Sequence, residues 1–275
     1  MISNRFDLNG RVAVITGGAG LLGFQHASAL AEAGATVVIT DVRASDAVRV
    51  ADEVKAAYKT PTLGVGMDVT APESIAAVRQ TVLERYGGIH VLVNNAAIDA
   101  KVKSDGNLTE TSRLEHFSLQ QWNSEIAVGL TGAFLCAQAF GAHMAAHGGG
   151  VILNIASDLS VIAPDQRLYR KDGLGEDQQP VKPVTYPVIK TGLIGLTRYL
   201  AGYWANQGVR VNALSPGGVY TGQPEVFVSR LINLIPMGRM AGPDEYRGAV
   251  QFLCSDASAY LTGQNLVMDG GRTVL

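Results

Sequence analysis

Cysteine is nearly absent from this chain. Only Cys136 and Cys254 occur in 275 residues, both inside apolar helical stretches. They read as small core residues rather than as a disulfide or a thiolate metal site. An excess of charge of one sign is also missing: 22 Lys and Arg face 24 Asp and Glu, a formal net charge of -2. No basic face argues for nucleic acid, and no polybasic run argues for a membrane surface. The five histidines show no ligand spacing. His26 falls on a first helix, His143 and His147 share a face of a long one, and no acidic or cysteine partner accompanies them, so no metal is assigned. Met1-Ile2-Ser3-Asn4-Arg5 lacks the charged-then-apolar layout of a secretory signal. No uninterrupted apolar run approaches a membrane span. The expectation is a soluble, cytoplasmic protein.

What the chain does have is alternation. Hydrophobic residues make up 47% of it, enough for a sizeable core. Short β-branched runs at 11–16, 35–40, 63–69, 89–93, 151–156, 209–214 and 265–268 predict strands. Helical patterns fall between them, at 20–33, 45–58, from Pro72 onward, at 119–146, from Tyr186 to about Asn206, and at 244–254. This order predicts an α/β fold, a doubly wound, mainly parallel sheet with helices on both faces, as a single domain over 1–275. Two segments break the alternation, 98–118 and 158–184. Both are long and polar, and both follow a strand, which puts them at the carboxyl end of the sheet where open α/β folds bind ligands. They are expected to wall a substrate site.

Three features carry chemistry. Tyr186 and Lys190, four apart on a helix, share one face. A phenol has a reference pKa of about 10, and bringing it near 7 takes roughly 4 kcal/mol of differential stabilisation. The Lys190 ammonium is a source of that stabilisation, and the Ser157 hydroxyl is placed to hold the oxygen that gains or loses the proton. The second feature is Thr16-Gly17-Gly18-Ala19-Gly20-Leu21-Leu22-Gly23, between a strand and a helix. Glycines there permit a tight turn, close approach of backbone to a pyrophosphate, and close helix–strand packing. The third is Asp41, which ends the second strand 24 residues beyond Gly17. A carboxylate there accepts hydrogen bonds from the adenosine ribose and repels a 2′-phosphate, favouring NAD over NADP.

Together with Asp68-Val69, Asn94-Asn95-Ala96-Ala97, Pro216-Gly217 with Thr221, and Met268-Asp269-Gly270-Gly271, these motifs stand in an order that resembles the compact, single-domain branch of the short-chain dehydrogenase/reductases. The resemblance covers the whole chain. It implies a seven-stranded Rossmann-type sheet and hydride transfer between a nicotinamide and a secondary alcohol or its ketone. It further implies a cofactor path along Gly17, Gly20, Leu21, Leu22, Gly23, Asp41, Asp68, Val69, Asn94 and Ala96. Tyr186 and Lys190 lie near the nicotinamide ribose on that path, and Pro216, Gly217, Val219 and Thr221 seat the carboxamide. Ser157, Tyr186 and Lys190 are the implied catalytic residues, in a homodimer or homotetramer packed through long helices.

The chain departs from the family pattern at three places. Gly20 and Leu21 give the glycine loop a spacing more like that of the extended branch, which acts on nucleotide sugars. Ala97 replaces a glycine. Gly129 stands where an asparagine holds a water of the proton relay, so either backbone carbonyls bind that water or the proton leaves another way. Ser157 and Tyr186 are 29 residues apart, about twice the usual interval. The glycine loop, Gly129 and the long loop before Tyr186 are together similar to oxidoreductases of flagellin and surface-sugar modification, which implies a sugar-derived substrate. Basic residues of the two long loops (Lys101, Lys103, Arg113, His116; Arg167, Arg170, Lys171) are matched by acids (Asp99, Asp105, Glu110, Glu115; Asp165, Asp172, Glu176, Asp177), which reads as a solvated mixed-charge face. An NAD-retaining epimerase or dehydratase of nucleotide sugars and a non-catalytic NAD sensor remain as alternatives.

Overall fold

Strand residues that are apolar at every position need cover on both faces, and the computed structural model, which describes residues 5–98 and 112–275, supplies it. Seven strands form one sheet in the order β3-β2-β1-β4-β5-β6-β7, every pairing parallel. They are β1 (Val12–Ile15), β2 (Thr36–Asp41), β3 (Thr62–Gly66), β4 (Val91–Asn94), β5 (Gly150–Ile155), β6 (Val209–Pro216) and β7 (Asn265–Met268). The helices are α1 (Leu21–Glu32), α2 (Ala44–Tyr58), α3 (Pro72–Tyr86), α4 (Leu119–Ala146), α5 (Thr185–Trp204), α6 (Glu225–Ile232) and α7 (Arg247–Cys254).

The period of two sorts each strand between two cores. Ala13, Ile15, Val37, Ile39, Val93 and Leu153 pack under α1, α2 and α7 through Leu30, Val54 and Leu253. Val12, Val14, Val38, Leu92 and Ile152 pack under α3, α4 and α5 through Val78, Phe140, Met144 and Trp204. Cys254 lies in the first core and Cys136 in the second. Both are free, and burial pushes each thiol up to about 12. The 28-residue α4 is long and apolar enough, by length and composition, to cross a membrane. In this fold its apolar residues Cys136, Phe140 and Met144 are wholly buried against the sheet. The strand order reverses between β1 and β4, which opens a crevice above their carboxyl ends.

Some boundaries differ from the sequence expectation. β3 stops at Gly66: the bond from Met67 N to the carbonyl of Asp41 (2.8 Å) is its last rung with β2, and Asp68 then folds back on Thr70. The last helix starts at Arg247 rather than 244. Helix α6 was not anticipated. The 158–184 segment is not structureless. It carries 3-10 turns at Asp158–Ser160, Gln166–Tyr169 and Glu176–Gln178. Its Leu168 forms a small third core with Leu231, Ile235 and Met240. Of the other long segment, Asp99, Lys101, Lys103, Asp105 and Glu110 lie outside the described residues.

One core residue carries a measurable cost. His26 of α1 is 0% exposed, and neither ring nitrogen has a hydrogen-bond partner. Burial, and then the charge of Lys190, lowers its pKa from 6.5 to about 3. A folded-state value below the unfolded one costs nothing above about pH 6.5 and removes about 1.4 kcal/mol of stability per pH unit below it. His26→Leu is therefore expected to unfold with a shallower acid dependence than the wild type in denaturant titrations between about pH 6 and 4. An identical slope in the two proteins would show that His26 takes up its proton while folded.

Candidate active site

The glycine loop is fastened to the end of β4. Thr16 Oγ1 accepts from the amides of Asn95 and Ala96, both at 3.0 Å, while Asn95 Nδ2 donates to the carbonyls of Thr16 (3.1 Å) and Gly17 (2.9 Å). Gly17 has a φ of 58°, and a Cβ there would lie 2.8 Å from Ala96 Cα. A Cβ on Gly23 would lie 2.4 Å from the Gly17 carbonyl oxygen. Both positions need glycine for the protein's own packing. Gly20 differs: it is exposed, and a Cβ there would meet nothing closer than 3.4 Å. It precedes α1, whose start has no side-chain cap and no acid in its first turn. Gly20 N donates to the Gly17 carbonyl (3.2 Å), and the N–H groups of Leu21 and Leu22 that follow suit an anion such as a pyrophosphate. Leu21 is 47% exposed and places no core demand on that spot.

The neighbouring expected residues fall around this crevice. Asp41 closes β2, half-buried, and accepts from Arg43 N at 3.2 Å. The Arg43 guanidinium is paired with Asp46. Asp68 is exposed and held by Thr70 through N (2.8 Å) and Oγ1 (2.7 Å). Val69 is buried in the second core. Asn94 is buried, with its side chain committed to the core. Its Nδ2 donates to Asn154 Oδ1 (2.9 Å), and Asn154 Nδ2 donates to Thr197 Oγ1 (2.8 Å), tying β4, β5 and α5 together. Asn95, which the sequence reading did not single out, secures the loop instead. At the far wall, Tyr246 Oη donates to the Gly217 carbonyl (3.1 Å), Val219 bridges to Ala241, and Thr221 is exposed.

The chemistry-bearing side chains meet above β5. Lys190 is buried and donates from Nζ to the carbonyl of Ile155 at 2.8 Å. Its Nζ lies 5.7 Å from the ring centroid of Tyr186, one turn earlier on α5. Ser157 follows β5, buried, with Oγ donating to Asp158 Oδ1 (2.9 Å) and accepting from Leu159 N (3.2 Å). Asp158 is paired in turn with Arg272 Nη1 at 2.7 Å, the two side chains 5% and 8% exposed. The C-terminal segment is held for this contact by Asp269, which accepts from Gly271 N (2.9 Å) and Thr273 N (2.7 Å). Neither Asp158 nor Arg272 was marked in the sequence, although an acid directly after the candidate serine was a visible signal.

Gly129 has a steric reason. It lies in a stretch of α4, Ala127–Thr131, wound as a π-helix, and a Cβ there would sit 2.8 Å from Ile189 Cγ2. Hydrocarbon from α5 occupies the place where an asparagine side chain would begin. One turn earlier, buried Glu125 accepts from Gln121 Nε2 (2.8 Å) and from the hydroxyl of Thr185, the neighbour of Tyr186. The loop charges pair locally, Arg167 with Asp165, Arg170 with Glu176 and Arg113 with Glu115, and Arg167 holds the Asp165 carboxyl below its ordinary range. Beside this lobe lies a cavity of about 290 Å³ lined by Arg113, Leu114, Pro164, Gln166, Lys182 and Pro187 among others.

Comparison with known proteins finds relatives over nearly the whole chain. Residues 11–169 match the family described as short chain dehydrogenase, and residues 175–273 the family described as Enoyl-(Acyl carrier protein) reductase. A D-threitol dehydrogenase of Mycolicibacterium smegmatis is 36% identical over 98% of this chain and 95% of its own. An NAD-dependent glycerol dehydrogenase of Listeria innocua is 33% identical over 98% and 96%. A crystal structure of a gluconate 5-dehydrogenase from Burkholderia cenocepacia, in complex with NADP and tartrate, superposes with a TM-score of 0.84 at 32% identity, covering 99% of this chain and 98% of that one.

Two variants probe the site's scaffolding. Arg272→Met leaves the Asp158 carboxylate buried without its partner and is expected to cost about 3–5 kcal/mol in denaturant unfolding, with part recovered when Asp158→Asn is added. Gly129→Asn is expected to cost about 1–3 kcal/mol by overpacking against Ile189. Adding Ile189→Ala should return part of that stability, and full additivity of the two losses would show that the contact is not shared.

Proposed function

The chain belongs to the short-chain dehydrogenase/reductase family, and on that premise we propose that it is an NAD-dependent dehydrogenase of secondary hydroxyl groups on polyols or related sugar derivatives. The observation that carries the reading is the convergence of Ser157, Tyr186 and Lys190 above the end of β5, on the same edge of the sheet as the glycine loop. Bound NAD supplies the hydride acceptor. Gly17 to Gly23 would hold its pyrophosphate, Asp41 its adenosine ribose, and Pro216, Gly217, Val219 and Thr221 its carboxamide end. NAD rather than NADP is supported by the Asp41 carboxylate and by the engagement of the nearby Arg43 with Asp46, which leaves that cation occupied.

Tyr186, as phenolate, removes the substrate hydroxyl proton, and the Lys190 ammonium stabilises that phenolate. Ser157 fixes the reacting oxygen. Its Oγ donates to Asp158 and accepts from Leu159 N; to hold the reacting oxygen it would turn that proton to the substrate, since the single hydroxyl proton of the alcohol goes to Tyr186. The polyol names carried by similar proteins support a hydrophilic substrate. So do the polar segments at 98–118 and 158–184, which we assign as walls of the substrate site. The outward residues Tyr199 and Tyr203 of α5 are 66% and 62% exposed and stack on each other at 5.7 Å, which supports a homo-oligomer packed through this helix.

The test is NADH formation across a panel of polyols, sugars, sugar phosphates and simple secondary alcohols. Tyr186→Phe is expected to lower kcat by about 10²–10⁴-fold with NAD affinity nearly unchanged. Substantial activity left in that variant would sink the assignment. Asp41→Ser should lower the KM for NADP while raising that for NAD. An unaltered preference would place cofactor choice elsewhere.

A further inference from the structure

Lys190 is not the only ammonium beside Tyr186. Lys182 Nζ lies 3.8 Å from the centroid of the Tyr186 ring, over its face, against 5.7 Å for Lys190. Lys182 comes from the long segment that sets Ser157 and Tyr186 so far apart, and that segment fixes it firmly. Its backbone N donates to Gln166 Oε1 at 2.8 Å, and Gln166 Nε2 donates to its carbonyl at 3.5 Å. Val181 N donates to Ser112 Oγ at 3.2 Å. Buried Gln179 cross-links the lobe, accepting from Lys171 N (2.8 Å) and donating to the carbonyls of Lys171 (3.0 Å) and Leu174 (2.8 Å). Leu168 anchors it on Leu231, Ile235 and Met240. The lobe is thus built to a shape, and one consequence of that shape is a cation over the tyrosine.

A cation over an aromatic face is attracted to the ring's electrons. When the phenol ionises, negative charge spreads into the ring, and the attraction grows. A cation so placed favours the phenolate over the phenol. We infer that Lys182 is a positioning residue for the reaction proposed above, a second ammonium that acts with Lys190 to hold Tyr186 in its phenolate form. The charged groups about the start of α5 include Glu125, bonded to Thr185, and the Asp158–Arg272 pair beside Ser157. Glu125 opposes the phenolate, whereas Asp158 and Arg272 largely offset each other. Ile189 fills the relay position at Gly129, so a proton leaving Tyr186 lacks the asparagine-held station of the family.

This inference rests on the dehydrogenase reading, so its test includes a measurement independent of turnover. Ionisation of Tyr186 is followed as the tyrosinate absorbance of the wild type minus that of Tyr186→Phe, across pH, with Lys182→Met and Lys182→Arg compared in the same way. Lys182→Met keeps the apolar stem and removes the charge. It is expected to raise the midpoint of the Tyr186 titration by about one pH unit, a tenfold loss of phenolate at a given lower pH. In the polyol assay it should lower kcat/KM by about tenfold near neutral pH, with recovery at alkaline pH. Lys182→Arg should restore both. A Tyr186 titration that does not move in Lys182→Met overturns the inference, as does a loss of kcat/KM equal at every pH. A shifted titration in a protein silent on every substrate would remove the dehydrogenase reading, and with it the catalytic role of Lys182, while leaving its effect on Tyr186 ionisation standing.

Discussion

The ammonium of Lys190 on the carbonyl of Ile155 is the contact about which the site is arranged. A charge taken that far out of water is tolerated only where polar partners meet it. The end of a strand supplies one, because the last carbonyls of β5 have no further ladder to enter. That bond fixes α5 against β5 in translation and rotation together. The same bond holds the helix turn that carries Tyr186 at the end of β5, which Ser157 follows. The positive charge has a reach of its own: it is one of the two causes that keep His26 neutral inside α1.

Much of this frame was legible in the sequence because local rules and the global fold agree. The strand runs are apolar at consecutive positions, as strands covered on both faces must be, and Pro72 marks the start of α3. What stayed hidden depends on contacts remote in sequence. Asp158 and Arg272 are 114 residues apart, and nothing local in either marks them as a pair. Adjacent asparagines at 94 and 95 look interchangeable in a motif. Strand alternation turns one into the core, toward Asn154, and the other onto the glycine loop. Helix α6 is only two turns long, and its apolar residues are satisfied by Leu168 of the distant lobe, so its own periodicity was too short to stand out.

The departures from the family pattern are connected through α5. Gly129 and Ile189 are one linked pair: with no side chain on α4 at 129, Ile189 of α5 fills the space beside it. The long interval before Tyr186 and the presence of Lys182 over its ring are another, since a segment of ordinary length has no room for the Gln166 clamp that holds Lys182. Local rules are broken most often where function asks for it, and here both breaks touch residues next to the same tyrosine.

Charge placement gives these changes a common direction. Ser157 rests on an acid neutralised from the C-terminal segment, and Tyr186 lies between a cation from its own helix and a cation from the lobe. A carboxylate beside the serine draws its proton away from the substrate side, while two ammonium groups about the tyrosine favour its anion. On the proposed mechanism the phenolate would take the single hydroxyl proton of an alcohol, and Ser157 would turn its own proton from Asp158 to the reacting oxygen. The cations about Tyr186 favour the first of these steps, and reduction of a ketone would begin instead from the protonated phenol.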